Sequence, residues 1–125
     1  MRVAKRMVVR GEEVEITVEL EERPVADEMW ERLPMKSKAR LRGGDEVHFP
    51  ILVPEAVEPS DRYGIEAGDV AYWPEGNSLC IFCGPAADDS PRDAEDFTKV
   101  GRVVEGLEGC ASVRANEELR IEAAQ

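Results

Sequence analysis

The chain is poor in aromatic residues, lysine, histidine and cysteine, and it has no long apolar run. Aromatics make up 6% of the sequence against 42% hydrophobic residues in all, so the core must be mainly aliphatic. No stretch approaches the roughly 18–20 apolar residues that span a bilayer. Residues 1–10 alternate charge with valine where a secretory signal would be continuously apolar. The expectation is a soluble, cytoplasmic protein with no membrane partner. The three cysteines, Cys80, Cys83 and Cys110, are few and odd in number, which argues against a disulfide framework. A basic stripe is missing too. The 27 acidic residues outweigh 16 basic ones for a net charge of −11, and the arginines are scattered. Nucleic acid needs clustered cations to displace its counterions, so it is not an expected partner. The acidic surplus reads as solubility through like-charge repulsion. Adaptation to high salt, where screening removes that repulsion, is the other reading.

What is present is periodicity. At 125 residues the chain is long enough for one domain, residues 1–125, with a core of its own. Residues 1–10 can form a strand, and Gly11-Glu12-Glu13 a turn. Val14, Ile16, Val18 and Leu20 then alternate with Glu15, Thr17, Glu19 and Glu21, the pattern of a half-buried strand. Pro24 suits the first position of a helix, with Ala26, Trp30 and Leu33 on one face and Pro34 as its stop. Ser37 to Leu41 is a short strand, followed by a turn at Gly43-Gly44. Val47, Phe49, Ile51 and Val53 alternate with Glu46, His48, Pro50 and Leu52. Pro50 lacks a donor, so this strand is expected at an edge or bulged there. A long connection covers 54–67. Asp69–Trp73 and Leu79–Cys83 are strands around a Pro/Gly/Asn turn. An acidic loop follows, then a strand from Phe97 to Val104. A short second helix fits Leu107 to Val113, and Glu118 to Ala123 closes the chain. Many short strands, glycine and proline turns and two short helices predict an all-β fold, a closed antiparallel barrel.

The order of these elements resembles cyclophilin, and four quoted stretches carry the likeness. Val14–Leu20 followed by Arg23-Pro24-Val25 is similar to that family's opening strand and proline-led helix. Gly64-Ile65-Glu66-Ala67-Gly68-Asp69 is similar to its Gly-Gly-Asp segment. Gly76-Asn77-Ser78-Leu79-Cys80-Ile81-Phe82 resembles its Asn-Gly-Ser-Gln-Phe-Phe strand. Val100-Gly101-Arg102-Val103-Val104-Glu105-Gly106-Leu107, the most specific of the four, resembles its Phe-Gly-Lys-Val-Val-Glu-Gly-Met. The resemblance is greatest to small prokaryotic cyclophilin-like proteins of uncharacterised function.

The resemblance implies a cyclophilin-like β-barrel and a groove near His48, Phe49, Tyr63, Glu66, Leu79, Ile81 and Phe97. It also implies that the isomerase arginine of that family, which polarises the prolyl amide, is replaced by Phe49. Loss of a positioned donor of that kind commonly costs on the order of 10²–10³ in rate. Glu66 takes the place of a groove glutamine, Leu79-Cys80-Ile81 of Gln-Phe-Phe, Arg92 lies near a tryptophan position, and Phe97 near a histidine. The expected function is binding of a peptide or small molecule, apolar with a cationic end near Glu66. A prolyl isomerase acting without the arginine and a homodimeric interaction module are the alternatives.

Three other constellations give weaker signals. Cys80-Ile81-Phe82-Cys83 spells CxxC, but on a strand the two thiols point to opposite faces, and buried free cysteine is common. His48 lacks an evident partner for acid–base work. Asp88, Asp89, Asp93, Glu95 and Asp96 lack the spacing of a calcium loop. No cofactor and no metal are expected. Tyr72 and Trp73 must face opposite sides of their strand, one of them into the barrel.

Overall fold

The alternation in residues 14–20 is where the fold begins. Ile16, Val18 and Leu20 are buried on one face of a strand whose other face carries Glu15, Thr17 and Glu19. The computed structural model describes residues 5–42, 46–51, 66–73, 76–84 and 97–124. Among the described residues nine strands, Arg6–Arg10 (β1), Glu15–Leu20 (β2), Met35–Lys38 (β3), Arg40–Arg42 (β4), Glu46–Pro50 (β5), Asp69–Trp73 (β6), Ser78–Phe82 (β7), Thr98–Glu105 (β8) and Glu118–Ala123 (β9), form one antiparallel sheet. Its order is β3-β9-β1-β2-β8-β6-β7-β5-β4.

The two ends of that order are consecutive in the chain. β3 and β4 are one strand interrupted only at Ala39. The first half pairs with β9, Lys36 opposite Arg120, and the second half with β5, Arg40 opposite His48. Ala39 is fully buried, and both its backbone groups bond the segment before β9, to Glu117 and Asn116. Beyond it the strand changes partner. The sheet is therefore nearly closed into a barrel through one bent strand, and among the described residues it is left unpaired where β3 passes the end of β5 and along the outer side of β4.

Mainly aliphatic side chains fill the interior, as the composition requires, with Phe49 and Tyr72 among them. Met7, Val9, Ile16, Val18, Val47, Phe49, Val70, Tyr72, Leu79, Ile81, Val100, Leu119 and Ile121 form one buried cluster. The helix Pro24–Glu31 (α1) packs Val25, Ala26 and Met29 onto it, with Trp30 and Leu33 half-buried alongside. The helix ends at Glu31, short of the expected stop at Pro34, and its deepest face is shifted from the Ala26–Trp30–Leu33 stripe. The second helix is a 3-10 turn, Leu107–Ser112, that buries Cys110.

The stretch Val100–Leu107 owes its character to two close approaches. A Cβ on Gly101 would lie 2.3 Å from the carbonyl oxygen of Glu19, and one on Gly106 would lie 2.2 Å from that of Glu15. Gly106 also has φ of +85°, which glycine adopts without steric cost. Both glycines let β8 lie against β2 across the register shift at Thr17/Val18.

The cysteine expectation is corrected. Cys83, just past β7, is disulfide-bonded to Cys110 in the 3-10 helix, with Cα atoms 5.7 Å apart. Sequence spacing hid the pair because the helix folds back under the end of the β6–β7 hairpin. Cys80 is buried and takes no part in the disulfide, on the opposite face of its strand.

Candidate functional site

The seven residues of the expected groove fall in separate places. Phe49, Leu79 and Ile81 are inside the barrel and no more than 1% exposed. Phe97 is buried on the outer face of the sheet with Ala71, Cys80 and Phe82, its ring edge-on to that of Phe82 at 5.2 Å. His48 is half-buried on that outer face, edge-on to Trp73 at 6.0 Å. Glu66 is exposed before β6, its backbone N–H donating to Asp69, which also pairs with Lys99 at 3.2 Å. Tyr63, like the acidic loop at 88–96, lies outside the described residues. The parity of β5 and β7 makes this division: residues 47, 49, 79 and 81 face in, and 48, 80 and 82 face out. Tyr72 is the inward member of the aromatic pair, its hydroxyl donating to Asn77 at 2.9 Å, and Trp73 the outward one.

A cavity does form, at the seam of the barrel, and Pro50 is its cause. β5 is not an edge strand, since β7 and β4 flank it. The N–H of Ile51 bonds the Asn77 carbonyl on the β7 side, so the nitrogen of Pro50, one residue earlier, faces β3. It has no hydrogen to give. The ladder that pairs β4 with β5 stops at His48, and β3 is left beside β5 without backbone pairing to it. One side-chain bond spans the gap, from the hydroxyl of Ser37 to the Pro50 carbonyl at 2.5 Å.

The resulting cavity holds about 710 Å³, within the roughly 300–1,000 Å³ of small-molecule sites. Pro34, Met35, Pro50 and Ile51 give it carbon walls. Ser37 and Asn77 are its neutral polar groups, and Arg32 and Lys36 its charges. Asn77, at φ of +46°, is fixed by bonds from Tyr72 and Ile51. With its side-chain oxygen committed to Tyr72, its amide N–H groups remain as donors. A second, smaller hollow of about 210 Å³ lies across Pro34, Met35 and Lys36, bounded by Arg120 and Glu122.

Charge separates this region from the rest of the surface. Among the described residues no acidic side chain lines the larger cavity, in a chain with 27 of them. Lys36 and Arg120 stand opposite each other across β3 and β9, and among the described residues neither has an ion-pair partner. The neighbouring acids are engaged. Glu122 pairs with Arg10 at 3.1 Å, and Glu28 lies 3.8 Å from Arg32. The second pair joins two exposed side chains, the kind that contributes little. Sequence reading missed this site because residues 32–37, 50–51, 77 and 120 meet only through barrel closure. The one local signal was Pro50 in an alternating run.

Among the described residues no group of three or more histidine, cysteine, aspartate or glutamate side chains is placed to hold a metal. No described helix is long and apolar enough to cross a membrane.

Comparison with known proteins agrees with the barrel. The solution structure of a hypothetical protein from Archaeoglobus fulgidus is similar over 99% of this chain and 98% of its own, with 36% sequence identity and a TM-score of 0.81. No curated protein matches the chain. Residues 5–122 match the profile of the family described as cyclophilin-like. The chain belongs to the cyclophilin-like family.

Proposed function

We propose that this protein binds a small molecule or a short peptide segment in the seam between β3 and β5, and that it does not catalyse prolyl isomerisation. The observation that carries this reading is the seam cavity itself. It is concave, walled by carbon, and furnished with a few convergent polar groups, the usual composition of a ligand site. Its opening follows from one residue, Pro50, and its floor is the well-packed barrel, so the site exists before a ligand arrives.

The case against isomerisation rests on Phe49. That residue takes the position of the isomerase arginine in the cyclophilin resemblance, and it is fully buried in the barrel core. A phenyl ring inside the barrel offers no donor to a twisted prolyl amide outside it. Fold alone does not restore the activity.

Two measurements test the proposal together. In a protease-coupled prolyl isomerisation assay, the expected rate equals that of buffer. In a fragment screen read by amide chemical shifts, the expected perturbations fall at Met35–Ser37, Ile51 and Asn77. A protein-dependent isomerisation rate, or fragments that move only amides elsewhere, would overturn it.

A homodimer is the second reading, favoured by one observation. Leu41 is 48% exposed on β4, and among the described residues β4 has a paired neighbour on one side only, the situation in which strand edges recruit other chains. Light scattering that finds only monomer at tens of micromolar removes it.

A further inference from the structure

The chemistry of the seam also says what kind of ligand it takes. We infer that the ligand is an organic anion, its apolar body lying between Met35 and Pro50 and its carboxylate or phosphate held by Lys36, Arg120 and Arg32. This rests on the seam being the ligand site, as proposed above.

Three observations converge on that assignment. The first is the Lys36–Arg120 pair. Like charges directly opposite on a sheet are destabilising. Arg120 also stands opposite a second cation, Arg10 on β1, but Arg10 is itself bound to Glu15 and Glu122. Arg6 faces and binds Glu19, and Arg10 faces and binds Glu15. At Lys36 and Arg120 the two cations face each other with no such partner among the described residues. A bound anion supplies the missing charge.

The second is continuity. Lys36 borders both the larger cavity and the hollow that Arg120 bounds. Arg32 reaches the same rim from the end of α1 across the Pro34 turn. Three cations from three segments thus surround the Pro34–Lys36 strip. Arginine suits the planar, bidentate recognition of a carboxylate or phosphate, and lysine adds a point charge.

The third is the contrast with the remaining surface. The protein carries a net charge of −11, which repels anions at long range. A cationic pocket in such a surface selects against cations and neutral molecules at short range while the acidic exterior keeps weak anion binding elsewhere low. The cationic end expected near Glu66 does not fit this site. Glu66 precedes β6, whereas the cavity meets the opposite end of the β6–β7 hairpin at Asn77, about 17 Å away for a five-residue strand.

The test is a calorimetric titration of the folded protein at low salt with four probes of similar size: benzoate, phenyl phosphate, benzamide and benzylamine. Amide shifts locate each bound probe. Benzoate or phenyl phosphate is expected to bind at Met35–Ser37 and Asn77 at least about tenfold more tightly than benzamide and benzylamine, as loss of a charged hydrogen-bond partner implies. Whichever anion binds better identifies the headgroup. Lys36→Gln and Arg120→Gln, both at exposed positions, are expected to lower that affinity about tenfold each, while Arg114→Gln, also exposed but remote, leaves it unchanged. Benzamide or benzylamine binding the seam as tightly as the anions would overturn the anion assignment and leave the seam as the ligand site. Absence of seam perturbation by all four probes would overturn both.

Discussion

Lys36 and Arg120 face each other across the β3–β9 ladder, two cations adjacent in an acidic protein. A pair that costs stability and carries no structural bond is explained by what it binds. Replacing Lys36 with glutamate converts the pair into an attractive one, worth roughly 0.2–1 kcal/mol on a sheet surface. Urea denaturation of Lys36→Glu should therefore show a midpoint at or above that of the parent, while anion binding is lost. A variant that is destabilised would mean that Lys36 has a structural partner.

Phe49 gives a prediction of the opposite kind. Placing at this position the arginine that the resemblance implies, Phe49→Arg, puts a guanidinium in the barrel interior without a counter-charge, at a cost of several kcal/mol. Against a typical domain stability of about 5–15 kcal/mol, that removes most or all of the folded population. Circular dichroism should show a melting transition lowered by many degrees or absent, with no gain in isomerisation rate. A stable Phe49→Arg protein with isomerase activity would show that residue 49 can face the ligand side.

The Cys83–Cys110 bond closes a loop of 27 residues. Chain-entropy reasoning values such a cross-link at about 3–4 kcal/mol. Reduction, or the variant Cys110→Ser, should lower stability by an amount of that order in denaturant titration. Thiol counting in denaturant without reductant should find one free thiol per chain, that of Cys80. A count of three would contradict the pairing.

The barrel was legible in the sequence because its evidence is local. Ile16, Val18 and Leu20 alternate with polar residues, Pro24 starts the helix, and the glycines at 101 and 106 mark where β8 meets β2. The resemblance of Val100–Leu107 to one family completed the assignment. The site was less legible, since its residues come together only through closure of the sheet. Pro50 was read as the mark of an edge or a bulge, whereas β5 is flanked by β7 and β4 and stays in register with β7 through Pro50; what its missing donor does depends on which strand lies beside it. That neighbour is β3, set by the switch of partners at Ala39. The groove residues taken from the resemblance divide by strand parity. Residues 49, 79 and 81 point into the barrel and 48 points out, and a one-residue difference in register inverts such a set. The disulfide was hidden for the same reason as the seam, because Cys110 approaches Cys83 only when the 3-10 helix packs back on the hairpin.

The most direct test of the account is the location of a bound anion. Titrating phenyl phosphate into isotope-labelled protein while following backbone amides should shift Met35, Lys36, Ser37, Ile51 and Asn77 in a saturable manner. Shifts confined to His48, Trp73, Cys80 and Phe82, on the outer aromatic face, would contradict the seam as the ligand site.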